Sequence, residues 1–212
     1  MSDMNYQAIL SGTSRAFPEP HPLFEKSSTT GKVLVLAGAD AALPDNVSDF
    51  SAILIEIDTG CLEARPDCPK DATNILGFAR WRLGDLAPSN LVELVKLETT
   101  SPAAIEAASA VLQVAGFEVS VCADRIGRIV DRLIRSQFNL ALNSIDDGLA
   151  TPRDLDEALR LGLGYLRGML APLLESGLHH HYAVTAGLFE TYGLPQYAPA
   201  RAAIAARGRA AQ

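Results

Sequence analysis

The chain has 212 residues, of which 48% are hydrophobic, 20% charged and 6% aromatic. These proportions exclude a disordered, collagenous or low-complexity chain, and the length suits one large or two small domains at roughly 100–200 residues each. A net charge of −7 argues against a nucleic-acid partner, because phosphate-backbone binding needs clustered Lys and Arg.

Cys61, Cys68 and Cys122 are an odd and sparse set with no secretory pattern ahead of them. They read as free thiols in a reducing, cytoplasmic setting, and their spacing lacks the second pair that a zinc site needs. No run approaches the ~18 apolar residues of a membrane span, so no membrane partner is expected.

Residues 1–30 carry Pro18, Pro20, Pro22 and the polar run 27–30. They read as an irregular arm or a single short helix over Tyr6 to Leu10. Apolar, β-branched runs follow at Val33–Leu36, Ala52–Ile57, Ile75–Trp81 and Leu91–Leu97. They show little alternation, which predicts strands covered on both faces. Ser101 is a good N-cap and Pro102 a good first helical residue, with Ile105, Ala108, Leu112 and Ala115 at helical spacing and Gly116 as the stop. Phe117 to Cys122 predicts a further strand.

From Arg125 the pattern is helical. Ile126, Ile129, Val130, Leu133, Ile134, Phe138, Ala141 and Ile145 mark one long apolar face over Arg125 to Asp147. Thr151-Pro152 caps the next helix, two or three more fill Leu166 to Ala210, and the alanine-rich tail reads as a surface helix.

The run Gly127-Arg128-Ile129-Val130-Asp131-Arg132-Leu133-Ile134 resembles the G-F-I-x-N-R-L-L that opens the helical domain of 3-hydroxyacyl-CoA dehydrogenases. The likeness continues through Asp146 to Asp156, an E-G-V-A-T-x-E-D-I-D-like turn, and through Leu159 to Gly164. Upstream, Asn90 to Val95 resembles the family's L-V-E strand. Ala52 to Leu62 resembles its A-I-L-A-S-N-T-S-S-L, and Gly77 to Trp81 sits where the family has G-x-H-F-F-N-P.

The resemblance implies three parts: an N-terminal arm (1–30), a shortened Rossmann-like α/β domain (31–124) and a helical domain (125–212) carrying dimer contacts and part of an acyl-CoA site. The fold class is α/β followed by all-α, the second part like the 6-phosphogluconate dehydrogenase C-terminal domain. The family's cofactor is NAD. Its fingerprint needs three glycines in the first turn, and the candidate, Leu36-Ala37-Gly38-Ala39-Asp40-Ala41, has one. Glu56 and Asp58 lie at the ~20-residue distance of a ribose-binding acid, although the resemblance assigns both to a later strand. No cofactor is expected to bind.

The family's general base is a histidine oriented by a glutamate. Glu93 matches the glutamate, but the histidine position holds Ala79 or Arg80. The family's serine falls near Gly60 or Cys61, and its helical asparagine becomes Asp131. Glu93, Asp131 and Cys61 are therefore the family-equivalent catalytic candidates.

Each candidate has a plainer reading. Asp131 fits an intrahelical charge pair, Cys61 a small buried residue, and Arg80 and Arg82 solvated charges at a strand edge rather than ligands for a CoA phosphate. His179-His180-His181 point ~100° apart on a helix and so suit a solvated or interface helix, with no metal expected. The leading expectation is a dehydrogenase-like homodimer with a degenerate site, acting in acyl-CoA or partner binding. The rivals are an active NAD-dependent dehydrogenase and a structural subunit of a full-length one.

Overall fold

The computed structural model describes residues 5–210. The chain divides into two compact units, Met1–Arg82 with Pro88–Arg128, and Leu83–Ala87 with Ile129–Gln212.

The first unit is built on a six-stranded sheet of β1 (Tyr6–Leu10), β2 (Val33–Ala37), β3 (Ala52–Glu56), β4 (Ile75–Arg80), β5 (Leu91–Lys96) and β6 (Glu118–Ala123), in that spatial order. Neighbours are parallel except β4 and β5, which run antiparallel. Every residue of β2 and β3 is buried. The alternation of side chains splits them between two cores. Val33, Val35, Leu54, Phe78 and Leu94 pack with helix α2 (Pro102–Val114). Leu34, Leu36, Ile53, Ile55 and Val95 pack with the loop residues Ala41, Phe50 and Leu62. Both faces are thus covered, as the unbroken apolar runs require. Ser101 caps α2 through its hydroxyl, which accepts the Ala104 N–H at 3.2 Å.

Tyr6–Leu10 is an edge strand and not a helix. A five-residue helix would leave most of its backbone groups without partners, whereas the edge of β2 satisfies them from Tyr6↔Val33 to Leu10↔Ala37. Of the arm expected over residues 1–30, the described part from Asn5 onward is tied to the sheet. The Tyr6 hydroxyl donates to the Leu23 carbonyl at 2.9 Å, and Phe17 and Leu23 are buried in the same core as β2. Helix α1 is one turn, Pro22–Glu25.

In the second unit, α3 spans Val130–Asp146. It starts later than the apolar pattern suggests, because Gly127 (φ +76°) and Arg128 (φ +43°) lie in the left-handed region, which no right-handed helix tolerates. Its buried stripe is also rotated from the expected one. Asp131, Arg135, Phe138, Asn139, Ala141 and Leu142 are buried, while Leu133 is 63% exposed. Helix α4 (Pro152–Leu163) is capped by Thr151 and ends on left-handed Gly164, and none of its residues is buried. Then come α5 (Leu170–Glu175), α6 (Leu178–Tyr192), a 3-10 turn (Pro195–Tyr197) and α7 (Arg201–Ala210). The α5 N-terminus is held by the Asp156 carboxylate, which accepts the N–H groups of Leu170 and Ala171. Ala203 of α7 is fully buried. No helix among the described residues is long and apolar enough to cross a membrane.

Candidate functional site

The antiparallel register of β4 on β5 sets Ala79 directly opposite Glu93. Opposed residues share a face of the sheet, so Ala79, and not Arg80, is where a side chain would meet that carboxylate. Both positions are buried. The Glu93 carboxylate accepts from Arg128 Nε at 3.2 Å. The same guanidinium donates to the carbonyl of Gly60 at 3.3 Å and to that of Asp58. A planar fork suits this task, since it can bridge an acid and two carbonyls at once. Arg128 is 8% exposed and sits at φ +43°, a backbone state that persists only where the surroundings over-determine it. The sequence signal for it was the arginine at the phenylalanine position of the G-F-I-x-N motif.

A second cluster lies where β1, β2 and β3 end. The loops after β1 and β2 are laced by backbone bonds from Ser11 N–H to Ala37, Ala39 N–H to Thr13 and Asp40 N–H to Ser11. Gly38 (φ +99°) makes this possible, because a Cβ there would lie 2.1 Å from the Ser11 carbonyl oxygen. The Glu56 carboxylate closes the arrangement. It accepts the Ser14 hydroxyl at 2.7 Å, the Ala16 N–H at 2.8 Å and the Gly38 N–H at 2.8 Å. Glu56 is therefore turned into the loops and is not placed as a ribose-binding acid. Beside it lies a crevice of about 460 Å³ lined by Arg15, Gly38, Asp58 and Cys61 among others. Arg15 pairs with Asp58 at 3.1 Å there.

The second unit holds a buried polar chain of its own. Arg135, fully buried, donates from Nε to Asp131 at 2.8 Å, one turn earlier on α3. Its Nη1 lies 3.3 Å from His181 Nδ1, and His181 Nε2 lies 2.9 Å from Asn139 Oδ1. Arg135 can only donate and the Asn oxygen can only accept, so His181 is neutral with its proton on Nε2. Burial first, and the Arg135 charge second, push its pKa down to about 3. The Asn139 amide donates on to the carbonyls of Gln196 and Ala198, tying α3 to the 3-10 turn.

The catalytic candidates are thus distributed between the two units. Glu93 and Cys61 belong to the first and Asp131 to the second. Asp131 makes the intrahelical pair with Arg135. The Cys61 thiol is pushed up by burial and by nearby Asp124, the reverse of an activated nucleophile. Arg80 is not a solvated charge. It donates to the carbonyls of Ala16 and Ser89 and lies over Phe17 and Phe117. His181 is not solvated either, although His180 is part-exposed and bonds Asp85 at 3.0 Å. Among the described residues no group of three or more His, Cys, Asp or Glu is arranged to hold a metal. Composition could not reveal Arg135, His181 and Asn139 as one network, because they meet only after α6 packs on α3.

Residues 127–209 match the family model for the 3-hydroxyacyl-CoA dehydrogenase C-terminal domain. A 3-hydroxybutyryl-CoA dehydrogenase of Mycobacterium tuberculosis is 30% identical over 169 residues, which cover 78% of this chain and 54% of that protein. An L-carnitine dehydrogenase of Pseudomonas putida is 40% identical over 98 residues, 42% of this chain and 30% of that protein. The crystal structure of (S)-3-hydroxybutyryl-CoA dehydrogenase PaaH1 from Ralstonia eutropha shares the fold, with a TM-score of 0.67 at 20% identity over 87% of this chain and 70% of that one. The chain therefore spans about half the length of the M. tuberculosis relative and less than a third of the L-carnitine dehydrogenase. Residues 127–209 therefore carry the 3-hydroxyacyl-CoA dehydrogenase C-terminal domain, and the chain shares its fold with a dehydrogenase of that kind.

Proposed function

We propose that this chain is a 3-hydroxyacyl-CoA dehydrogenase-like protein that does not carry out the oxidation, and that it works as a homodimer binding acyl-CoA or a protein partner. The observation that carries the reading is the pair Ala79 and Glu93. Oxidising a 3-hydroxyl group by hydride loss needs a base for its proton. A histidine opposite Glu93 would be such a base, and an alanine stands there. The carboxylate that would orient the base is instead bonded to the Arg128 guanidinium, which donates hydrogen bonds and offers no lone pair to take a proton. A positioned base supplies about 10²–10⁴-fold in rate, so its loss alone is severe.

The residues present do not fit a dinucleotide. The N–H groups of Ala16 and Gly38, at the carboxyl ends of parallel strands where such a cofactor's phosphates would be cradled, already donate to Glu56. For a CoA phosphate, one crevice of about 510 Å³ beside the ends of β5 and β6 offers Lys70, Lys96 and Arg125, though Glu63, Glu98 and Asp124 line it too. The dimer reading is supported by the leucines that α3 and α4 leave uncovered. Leu133, Leu140, Leu161 and Leu163 are 63–70% exposed, large apolar side chains that a second copy of the chain could cover.

The deciding experiment uses the full chain with a short 3-hydroxyacyl-CoA and NAD, read by NADH absorbance, beside calorimetry with the acyl-CoA alone. Binding without turnover is expected. Robust NADH formation would overturn the reading in favour of an active dehydrogenase.

A further inference from the structure

The loops after β1 and β2 present three hydrogen-bond donors that converge on one point. They are the Ser14 hydroxyl and the backbone N–H groups of Ala16 and Gly38, all 2.7–2.8 Å from oxygens of the Glu56 carboxylate. These distances are those of charge-assisted bonds. Two backbone N–H groups from different loops and a hydroxyl, all aimed at one carboxylate, form a concavity suited to an anion. This one lies at the carboxyl ends of parallel strands, the usual ligand position in an open α/β sheet. Glu56 is 8% exposed, and it is the last residue of β3, so the strand itself aims the carboxylate into the loops.

We infer that Glu56 is a resident anion: its carboxylate fills a phosphate-type donor cradle and thereby excludes phosphate and phosphate-bearing ligands from the crevice above β1–β3. This rests on the functional reading above and gives its physical cause. A phosphate entering the crevice would find the three donors engaged and a buried negative charge beside it. It would be repelled by a like charge and left without partners. Displacing Glu56 would strand a buried carboxylate, so the intramolecular anion wins at any ordinary ligand concentration. The crevice therefore selects against nucleotides and for ligands without a phosphate.

Anion rescue tests this. Thermal unfolding of the wild type, Glu56→Ala and Glu56→Gln is compared in sodium chloride, acetate and inorganic phosphate at matched ionic strength. The wild type should show only the small general gain that excluded salts such as phosphate give any protein. Glu56→Ala empties the cradle, should melt lower in chloride, and should recover by several degrees in acetate or phosphate. Glu56→Gln keeps the cradle filled with a neutral group and should melt lower without recovering. A Glu56→Ala chain that folds in no salt is replaced by Glu56→Ser, with the same expectation. Absence of any acetate or phosphate effect on the cavity variant, or an equal effect on the wild type, would overturn the inference. NADH binding by the wild type would overturn the exclusion as well, whereas a wild type that is monomeric and binds no acyl-CoA would sink the functional reading and leave the rescue result standing.

Discussion

Ala79 and Glu93 face each other across β4 and β5, and the carboxylate of Glu93 is held by Arg128. The position that would carry a base is thus a methyl group, and its orienting acid is built into a structural ion pair. Placing a histidine at 79 restores the base in name only. Ala79→His should give no NADH from a short 3-hydroxyacyl-CoA above background, alone or with Arg128→Phe, because the cofactor cradle remains filled by Glu56. Turnover by the double variant, in a coupled spectrophotometric assay, would mean that the base and its orientation were the only losses. Arg80→His should also be inactive, and it should melt lower than the wild type, since Arg80 bridges the Ala16 and Ser89 carbonyls.

The Glu93–Arg128 pair is nearly dry, with side chains 2% and 5% exposed. Removing one partner takes the opposite charge away from the other in a buried setting, at a cost of about 3–5 kcal/mol. Arg128→Ala and Glu93→Ala should each lose that much in urea unfolding. Glu93→Ala combined with Arg128→Ala should lose much less than the sum of the two single changes, because both charges go together. Additive losses would show that the two side chains are not coupled.

His181 makes stability depend on acid. Its folded-state pKa is depressed to about 3 by burial and by Arg135, while the unfolded chain has an ordinary imidazole. The unfolded state therefore binds a proton first as pH falls below about 6.5, and it alone gains from doing so. Stability should drop by about 2 kcal/mol from this group between pH 7 and pH 5. The contribution is complete above about 6.5 and is lost progressively towards 3. Urea unfolding at the two pH values, with the wild type and His181→Gln, checks this. The variant should be less stable at pH 7 but should show a shallower acid decline. Equal slopes would refute a buried neutral imidazole.

The thiols should be slow nucleophiles. Burial, and after it the charge of Glu93, pushes Cys122 up to about 11. Cys61 and Cys68 are also raised, burial again being the main cause. Alkylation by iodoacetamide at pH 8, followed by mass spectrometry, should be far slower in the folded protein than in urea for all three. A Cys61 that reacts faster folded than unfolded would restore it as a nucleophile.

The helical unit should pair two copies of the chain. Leu161 and Leu163 are 70% and 66% exposed on α4, a helix with no buried residue of its own. Light scattering at tens of micromolar should report a dimer, and Leu161→Glu should give a folded monomer by circular dichroism. A monomeric wild type would end this expectation.

Much of the fold was legible in the sequence because it rests on local rules. Unbroken apolar runs made buried strands, Ser101-Pro102 and Thr151-Pro152 opened helices, and the helical-domain motif carried its family with it. The intrahelical partner of Asp131 was legible too, since residues four apart share a helix face. Other features were decided by tertiary contacts. Tyr6–Leu10 became a strand because β2 offered an edge. The rotation of the buried stripe on α3 followed from packing of Arg135 and Asn139 against His181, residues separated by more than forty positions. Spacing left Ala79 and Arg80 equally eligible to face Glu93, and only the antiparallel register chose between them. Glu56 could be read as a ribose-binding acid while its partners were unknown. Its direction was set by the donors at Ser14, Ala16 and Gly38. A buried charge goes where its hydrogen bonds are, and those come from chain segments distant in sequence.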